Sequence, residues 1–247
     1  MLLATDLDGT LLGDGAALRR FAAWIKSRRQ RITLVYATGR TADSIEDLVD
    51  EGVLVAPDYI AGMVGTELID YSSGKSVGSW MTCKRAGWDA ATVQKILASF
   101  SELALQPKEF QSSLKVSYYL RRANPLQLER MAAELAAAGI EAEVAYSCDE
   151  FLDFLPKDMS KGASVAYLAQ YLGLSSHRVV ACGDSGNDLS LFRHGFCGVV
   201  VANAWPDLYW ACPEPTYRSL FRFADGVIDG VEYWTRRLTQ PGLPGST

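Results

Sequence analysis

The chain has 247 residues, of which 49% are hydrophobic, enough for one large α/β domain or for a core with a smaller second domain. The formal net charge of −5 argues against a nucleic-acid partner, and no apolar run approaches the length of a membrane span. Five scattered cysteines and the lack of a signal-peptide pattern predict a soluble protein of the reducing cytoplasm.

The first predicted element is a short buried strand that ends in two carboxylates. The apolar run of residues 2–4 is followed closely by Asp6 and Asp8, with Leu7 between them. On an extended chain, residues two apart point to the same side, so both carboxylates are expected to face one small volume. Two carboxylates that close repel each other unless a cation or a proton lies between them. The pattern therefore predicts a metal site, a nucleophile, or both.

The next elements continue an alternation of helices and strands. An amphipathic helix contains Leu18, Phe21 and Ile25 at helical spacing, and a strand over residues 32–37 leads directly into Thr38-Gly39-Arg40. A second helix is predicted from about residue 41 to 51, with Thr41 as its cap, and a third strand opens at residues 57–61.

The middle of the chain differs from the first part in composition and in its predicted elements. A small, polar run at residues 72–79 suits a domain boundary, and residues 156–160 look like the return linker. Between them the sequence predicts helices at 88–100 and after Asn124, with strands at 114–120, 141–146 and 151–155, which together form a small α+β insert.

The last third of the chain again alternates predicted helices and strands, as the first part does. Lys161 begins a predicted helix, a strand over residues 179–182 ends in Gly183-Asp184-Ser185-Gly186-Asn187-Asp188, and another strand covers residues 196–201. The predicted fold class is α/β, with a Rossmann-like parallel-sheet core domain and an inserted smaller α+β cap domain. The expected bounds are 1–79 and 159–247 for the core and 80–158 for the cap, with a disordered tail from about residue 239.

Three predicted strands end in polar clusters, and parallel strands bring such ends to one edge of a sheet. The clusters supply carboxylates, a hydroxyl and backbone N–H groups, and Lys161 adds a fixed cation, which is a set suited to handling phosphate. Mg²⁺ prefers hard oxygen ligands, so the sequence predicts Mg²⁺ as the cofactor. The candidate metal ligands are Asp6, Asp8, Asp184 and Asp188. Among them Asp6 and Asp184 supply carboxylates, and a backbone carbonyl near Asp8 can be a third ligand.

The same set suggests a division of chemical roles. Asp6 can attack phosphorus to form an aspartyl phosphate, while Asp8, which lies beyond it, serves as acid and then as base. Thr38 and the amides around Gly39 would bind phosphoryl oxygens, and Lys161 would offset negative charge. Asn187 and Asp188 would orient Lys161, the metal water or the substrate.

Other classes of protein fit less well. The sequence lacks a Gly-x-x-x-x-Gly-Lys-Ser/Thr motif, and its two histidines, His177 and His194, have neither triad nor zinc-like spacing. A receiver domain would be about half as long. A structural metal site, a non-catalytic sugar-phosphate sensor and an enzyme that transfers phosphoryl groups between sugar positions remain as alternatives.

In order, Asp6-Leu7-Asp8-Gly9-Thr10, Thr38, Lys161 and the segment from Gly183 to Asp188 resemble the four motifs of the haloacid dehalogenase superfamily of phosphatases. The resemblance implies an Mg²⁺-dependent phosphohydrolase with Asp6 as nucleophile and Asp8 as general acid/base. It also implies that the insert is a type-two cap, which closes over the leaving group and sets specificity.

Within that superfamily the chain looks most like the sucrose-phosphate phosphatase group, through Tyr36-Ala37-Thr38-Gly39-Arg40, Val64-Gly65-Thr66-Glu67 and Lys115-Val116-Ser117-Tyr118. This resemblance implies hydrolysis of sucrose 6-phosphate, and phosphatases of mannosylfructose phosphate, glucosylglycerol phosphate and mannosyl-phosphoglycerate are close alternatives. A transient association with the sugar-phosphate synthase is a further expectation. Packing remains an alternative role for Tyr118, and simple solvation for Lys115. The candidate substrate-binding residues are Thr10, Gly39, Arg40, Glu67, Lys115, Ser117, Tyr118 and Asn187.

Overall fold

The computed structural model describes residues 1–82 and 87–239, and the chain divides into two compact units. The core unit combines Met1–Met81 with the chain from Lys161 onward, and the cap unit is Thr82–Ser160. These bounds lie two residues beyond the 79/80 and 158/159 boundaries expected from the sequence. The expected disordered tail falls almost entirely on residues 240–247, outside the described residues.

The bounds of the regular elements are as follows. The strands are β1 (Leu2–Thr5), β2 (Thr33–Ala37), β3 (Tyr59–Ala61), β4 (Ile69–Asp70), β5 (Lys75–Ser76), β6 (Ala104–Leu105), β7 (Val116–Tyr119), β8 (Ala142–Ser147), β9 (Phe151–Pro156), β10 (Val179–Gly183), β11 (Cys197–Val200) and β12 (Thr216–Arg218). The α-helices are α1 (Gly15–Lys26), α2 (Ala42–Asp50), α3 (Ala90–Leu97), α4 (Pro125–Ala137), α5 (Lys161–Tyr171), α6 (Pro206–Ala211) and α7 (Phe223–Thr239).

The core unit is built on a sheet in the order β12-β11-β10-β1-β2-β3-β4-β5. The pairs from β12 to β3 are all parallel, so β1 lies between β2 and β10 and their carboxyl ends share one edge. Two short antiparallel strands, β4 and β5, extend the other side. The polar run at residues 72–79 therefore lies largely in a hairpin of the core, and the boundary between the units falls just after it.

Apolar faces of the helices close over this sheet. Helix α1 begins at the Asp14 cap and buries Ala17, Phe21 and Ile25, which recur at the spacing of one helical face. Helix α2 begins at Thr41, whose hydroxyl accepts the Ser44 N–H, as the sequence predicted. Helices α6 and α7 and strand β12 were not predicted from the sequence, although α7 packs against α1 and β11 in the same core.

The cap unit is an antiparallel sheet in the order β6-β7-β9-β8, with α3 and α4 packed on one face. Alternate residues of the strands form its apolar core with the helices, including Val116, Leu152 and Phe154. Helix α4 starts with a reciprocal capping box between Asn124 and Gln127, and this local signal made the helix predictable.

Two further observations bear on the expected environment. The cysteines among the described residues, Cys148, Cys182, Cys197 and Cys212, are all free thiols. Within residues 1–82 and 87–239, no helix combines the length and the apolar character that crossing a bilayer requires.

Candidate active site

The site lies where neighbouring parallel strands of the core end. Asp6 directly follows β1, Thr38 directly follows β2, and Asp184 directly follows β10. The backbone N–H of Asp6 still donates to the Cys182 carbonyl oxygen at 3.0 Å, so the ladder holds Asp6 beside the end of β10. The convergence of the three polar clusters that the sequence predicted is present in the structure.

Three buried carboxylates meet one buried ammonium at this edge. Carboxylate oxygens of Asp6, Asp184 and Asp188 all lie within 4.8 Å of one another. The Lys161 Nζ atom donates to Asp6 Oδ1 at 2.8 Å and to Asp188 Oδ1 at 2.7 Å. It also donates to Asn187 Oδ1 at 2.9 Å. With all groups ionised, three negative charges face one positive charge, so the cluster lacks two positive charges.

The electrostatics of the cluster follow from this imbalance. Burial is the main cause that raises the pKa of Asp6 well above its usual range, although Lys161 opposes the shift. Burial, with the nearby Asp188 carboxylate, raises the pKa of Asp184 to about 7. Burial alone would lower the pKa of Lys161, but Asp188 and Asp6 outweigh it and raise that pKa. Asp6 and Asp184 therefore hold their protons to higher pH than exposed carboxyl groups do.

The donor set fits Mg²⁺, because it consists of hard carboxylate oxygens with excess negative charge. Asp184 is oriented by Thr10, whose Oγ1 donates to Asp184 Oδ1 at 2.7 Å. Asp188 is already committed, since Lys161 occupies one of its oxygens and the backbone N–H groups of Asp184 and Ser185 occupy the other at 2.9 and 3.1 Å. Asp6 and Asp184 are thus the better ligands, and Asp188 orients the loop and Lys161.

Asp8 lies outside the carboxylate cluster, although the sequence predicted that it would face the same volume as Asp6. Its side chain is 58% exposed and forms a two-pronged pair with Arg40, in which Nε donates to Oδ2 and Nη2 donates to Oδ1, both at 2.7 Å. The strand ends at Thr5, so the chain from Asp6 to Asp8 is no longer extended. The side chains of these two residues therefore need not point to the same side. A metal contact from Asp8 is left to its backbone carbonyl.

Two glycines permit the close approaches in this site. Gly9 has a φ of +85°, and a Cβ there would lie 2.3 Å from Asp184 Oδ2. A Cβ at Gly162 would lie 2.1 Å from the Ser190 carbonyl oxygen, so a larger residue would push the start of α5, with Lys161, away from the cluster. Both positions are next to catalytic candidates, and their small size is a condition of the geometry.

Thr38, the second of the four motifs, lies after β2 at the same sheet edge as Asp6. Thr38 is buried, and its Oγ1 accepts the Arg40 N–H at 3.3 Å, which leaves its hydroxyl hydrogen available. Gly39 lies between Thr38 and Arg40 in the loop after β2. Glu67, another substrate-binding candidate, instead has Oε2 accepting the Ala42 N–H at the start of α2, at 3.2 Å.

The candidate substrate-binding residues of the cap lie on opposite faces of the cap sheet. Tyr118 is buried in the apolar core and packs edge-on against Phe154, with ring centroids 6.2 Å apart, which is the packing alternative foreseen for it. Lys115 and Ser117 lie in a buried polar network with Asp153: Lys115 Nζ is 2.7 Å from Ser117 Oγ and 3.2 Å from Asp153 Oδ1. Lys115 is thus not a solvated surface residue.

Sequence reasoning missed two polar residues with structural roles beside these candidates. Asp153 interrupts the apolar run from Phe151 to Leu155, and that interruption was a usable signal. Asn203 follows β11 at the catalytic edge of the sheet, where its side chain donates to the Gly9 carbonyl oxygen at 2.7 Å. Its place after a parallel strand was a weaker signal of the same kind.

Known proteins match this chain along nearly its whole length. A family model described as sucrose-6F-phosphate phosphohydrolase matches residues 1–235. Mannosylfructose-phosphate phosphatase of Agrobacterium fabrum is 35% identical over 238 residues, covering 94% of this chain and 96% of that protein. The chain spans only 51% to 59% of the length of the plant sucrose-phosphatases that it matches.

Solved structures agree with this result. The X-ray structure of the sucrose-phosphatase from Synechocystis sp. PCC6803, in complex with sucrose and phosphate, is 32% identical and has a TM-score of 0.89 over 95% of this chain and 98% of that chain. A haloacid dehalogenase-like hydrolase from Bacteroides thetaiotaomicron, 21% identical over 96% of this chain and 98% of that one, shares the fold with a TM-score of 0.64. The predicted fold class and resemblance are confirmed: the chain has the fold of haloacid dehalogenase-like hydrolases, belongs to the sucrose-6F-phosphate phosphohydrolase family and is a phosphoric monoester hydrolase.

Proposed function

We propose that this chain hydrolyses a phosphorylated disaccharide with the help of Mg²⁺, and that sucrose 6-phosphate is its substrate. The observation that carries the proposal is the buried cluster of Asp6, Asp184 and Asp188, which lacks two positive charges beside a separate Asp8–Arg40 pair. The buried carboxylates of the cluster are thereby kept for the metal and the phosphoryl group, and the separate carboxylate of Asp8 is kept for proton transfer.

The proposed reaction has two steps at Asp6. In the first, an Asp6 carboxylate oxygen attacks phosphorus, the bond from phosphorus to the sugar oxygen breaks, and Asp8 protonates that leaving oxygen. In the second, water attacks the aspartyl phosphate while Asp8 accepts its proton, which releases phosphate and restores Asp6. Lys161 stabilises charge on Asp6 and the phosphoryl oxygens, and the Thr38 hydroxyl donates to a phosphoryl oxygen.

Asp6, Asp184 and the Asp8 backbone carbonyl would hold the Mg²⁺ ion. When bound, the ion supplies positive charge that offsets both the carboxylates and the phosphoryl oxygens. Thr10 and Asp188 keep these ligands in place, through the hydrogen bonds to Asp184 and to the backbone of its loop. This assignment gives every buried polar group of the cluster a task.

A second candidate substrate has specific support. The Agrobacterium fabrum relative acts, by its name, on mannosylfructose phosphate, and the match covers 94% of this chain and 96% of that protein. Sucrose 6-phosphate and mannosylfructose phosphate share a phosphorylated hexosyl-fructose, so the two differ in the non-fructose sugar. The cap is the proposed site of discrimination, with Lys115 and Ser117 as its candidate contacts, and Arg40 of the core is a further candidate.

Two finer proposals concern the cellular setting. A glucosylglycerol-phosphate synthase of Pseudomonas anguilliseptica contains a segment that is 32% identical to this chain over 211 residues. We also propose that the present chain associates transiently with a sugar-phosphate synthase. The free cysteines support a reducing, cytoplasmic location.

Phosphate release from a panel of substrates tests the function. The panel contains sucrose 6-phosphate, mannosylfructose phosphate, glucosylglycerol phosphate, mannosyl-phosphoglycerate and simple hexose phosphates, each with Mg²⁺ and with a chelator. We expect the largest kcat/KM for sucrose 6-phosphate, dependence on Mg²⁺, and loss of at least about 10⁴-fold in Asp6→Ala. A preference for a hexose phosphate would refute the disaccharide assignment, and near-normal turnover by Asp6→Ala would refute the covalent mechanism.

A further inference from the structure

Asn203 connects two backbone segments that are far apart in the chain. It lies just beyond β11, half-buried, and its Nδ2 donates to the Gly9 carbonyl oxygen at 2.7 Å. Its Oδ1 accepts the Phe223 N–H at 2.8 Å. The asparagine amide offers both a donor and an acceptor at this length, whereas aspartate lacks the donor and leucine lacks both. The two backbone partners thus specify an asparagine at this position.

The first partner belongs to the turn that carries Asp8. Within this turn the Leu7 carbonyl oxygen accepts the N–H groups of Thr10, Leu11 and Leu12, at 3.2, 2.9 and 2.7 Å. The Gly9 N–H donates to the Leu12 carbonyl oxygen at 3.2 Å, whereas the Gly9 carbonyl is held from outside by Asn203. Asp8 lies between Leu7 and Gly9, so the backbone on its carboxyl side depends on Asn203.

The second partner begins the last helix in a strained conformation. Phe223 has a φ of +51°, in the left-handed region that bulky residues rarely adopt, and such a conformation persists only where the surroundings hold it. Helix α7, which starts there, is anchored to β11 by Trp234, whose Nε1 donates to the Gly198 carbonyl oxygen at 2.9 Å. Asn203 therefore ties the Asp8 turn to a firmly packed part of the core.

We propose that Asn203 is a positioning residue for proton transfer: its amide holds the Gly9 carbonyl, and thereby fixes the turn from which Asp8 reaches the leaving oxygen. This inference rests on the proposed function, in which Asp8 protonates that oxygen. Proton transfer requires the acid within hydrogen-bond reach, and a displacement of about 1 Å can cost roughly 100-fold in rate.

The test uses the full chain with Mg²⁺ and compares Asn203→Asp and Asn203→Ala with the wild type. Asn203→Asp keeps the acceptor for the Phe223 N–H and loses only the donor to Gly9, whereas Asn203→Ala loses both. We expect Asn203→Asp to lower kcat for the best sugar phosphate about 10- to 100-fold, with KM within about twofold. In the first step alone, measured as release of the leaving group in a single turnover, the loss for p-nitrophenyl phosphate should be under about threefold, because p-nitrophenolate leaves without being protonated. The second step, in which Asp8 accepts the proton of water, is common to both substrates.

Trp234→Phe is the matched control. It removes a hydrogen bond between α7 and β11 and keeps an aromatic ring, but it does not touch the turn that carries Asp8. It should lower the melting temperature as the Asn203 variants do and leave kcat unchanged for both substrates. Equal losses for both substrates in the single-turnover first step of Asn203→Asp, or a wild-type kcat in both Asn203 variants, would overturn the proposal.

Hydrogen exchange provides a readout that does not depend on activity. The peptide covering residues 7–12 should exchange faster in Asn203→Asp than in the wild type or in Trp234→Phe, and unchanged exchange would also overturn the proposal. If the wild type released no phosphate from any sugar phosphate, the proposed function would fail, while the exchange result would still decide whether Asn203 holds the turn.

Discussion

At the residue scale, Asp6 and Asp8 differ in their surroundings far more than their spacing suggests. Asp6 is buried against Lys161, whereas Asp8 is exposed and paired with Arg40. A buried carboxylate beside an ammonium suits a nucleophile that is shielded from water, and an exposed one suits a group that exchanges protons with solvent. The proposed division of labour between the two residues therefore follows from their different burial.

Arg40 should control the position of Asp8. Its guanidinium grips both Asp8 oxygens, which a lysine cannot do because its ammonium is a single point charge. We expect Arg40→Ala to lower kcat/KM for the best sugar phosphate about 10- to 100-fold, and Arg40→Lys to lower it less. Steady-state kinetics at saturating Mg²⁺ measure both effects.

Arg29 offers the matched control for that experiment. It forms the same two-pronged contact with Asp58, at 2.9 and 2.8 Å, at a position that takes no part in the proposed chemistry. Arg29→Lys should leave kcat/KM unchanged. Wild-type kcat/KM in Arg40→Ala would show that Asp8 needs no partner.

Asp184 should lower stability when no metal is present. Its pKa is about 7 in the folded protein against 3.8 ordinarily, so the folded state binds more protons than the unfolded state between these values. The contribution of Asp184 to stability without metal therefore falls as pH rises from about 4 to about 7, and this contribution is fully lost above that range. In a chelator at pH 8, Asp184→Asn should be more stable than the wild type by about 1–3 kcal/mol.

Urea unfolding at pH 4.5 and pH 8, with and without Mg²⁺, measures this effect. The advantage of Asp184→Asn should nearly vanish at pH 4.5, where the folded wild type already carries the proton. Adding Mg²⁺ should stabilise the wild type but not the variant, because the variant lacks a ligand. A variant that is less stable than the wild type at pH 8 without metal would contradict the burial argument.

At the element scale, the paired strands β7 and β9 carry a buried ion pair on the face opposite the cap's apolar core. Ser117 lies directly opposite Asp153 in the register, and its Oγ is 2.5 Å from Asp153 Oδ1, which also accepts from Lys115. Removing one member of a buried pair leaves an uncompensated charge, whereas removing both can cost much less. This part of the cap should therefore respond to single and double substitutions very differently.

The corresponding experiment uses hydrogen exchange in the full chain to measure local unfolding of the cap sheet, here called opening. Lys115→Met should lower the free energy of opening by about 3–5 kcal/mol, and Lys115→Met with Asp153→Leu should restore much of it. Lys157→Met, which removes an exposed pair with Glu141, should leave the exchange rates unchanged. Equal losses in the single and double variants would show that packing, rather than charge, holds this face.

The sequence predicted the elements that carry their own local signals. Strand β1 was predictable because an apolar run ends in two acids, and α4 because Asn124 and Pro125 mark its start. Helix α7 was missed, since the core that its apolar face joins is assembled from distant segments. The Arg40–Asp8 pair and the Asn203 contact with Gly9 were also out of reach, because both depend on how loops from separate strands meet. Motifs gave the chemistry of the site, and tertiary contacts gave its geometry.

At the scale of the whole molecule, the core is discontinuous in sequence and the cap is continuous. In the core, β1 pairs with β10 and α1 packs against α7, so each half of the chain completes the other. The cap sheet and both of its helices come from one segment. The cap should therefore be the part of the chain that folds without the rest.

Two fragments test this expectation. Residues 82–160 should show cooperative thermal unfolding by circular dichroism and a dispersed NMR spectrum. Residues 1–81 should show neither, because β1 then lacks its partner on one side and the apolar face of α1 lacks α7. Cooperative unfolding of residues 1–81 would show that the amino-terminal strands form a stable sheet alone.

The discontinuity of the core also has a consequence during synthesis on the ribosome. Lys161 is made 155 residues after Asp6, which is a delay of about 8–30 s at roughly 5–20 residues per second. Throughout that delay the cap can fold as it emerges. Strand β1 still lacks its partner β10, so the backbone groups at its edge and the apolar side chains of β1, β2 and β3 remain exposed. The first 81 residues of the nascent chain therefore stay prone to aggregation during that delay, and the active site cannot form before Asp184 and Asp188 have been synthesised.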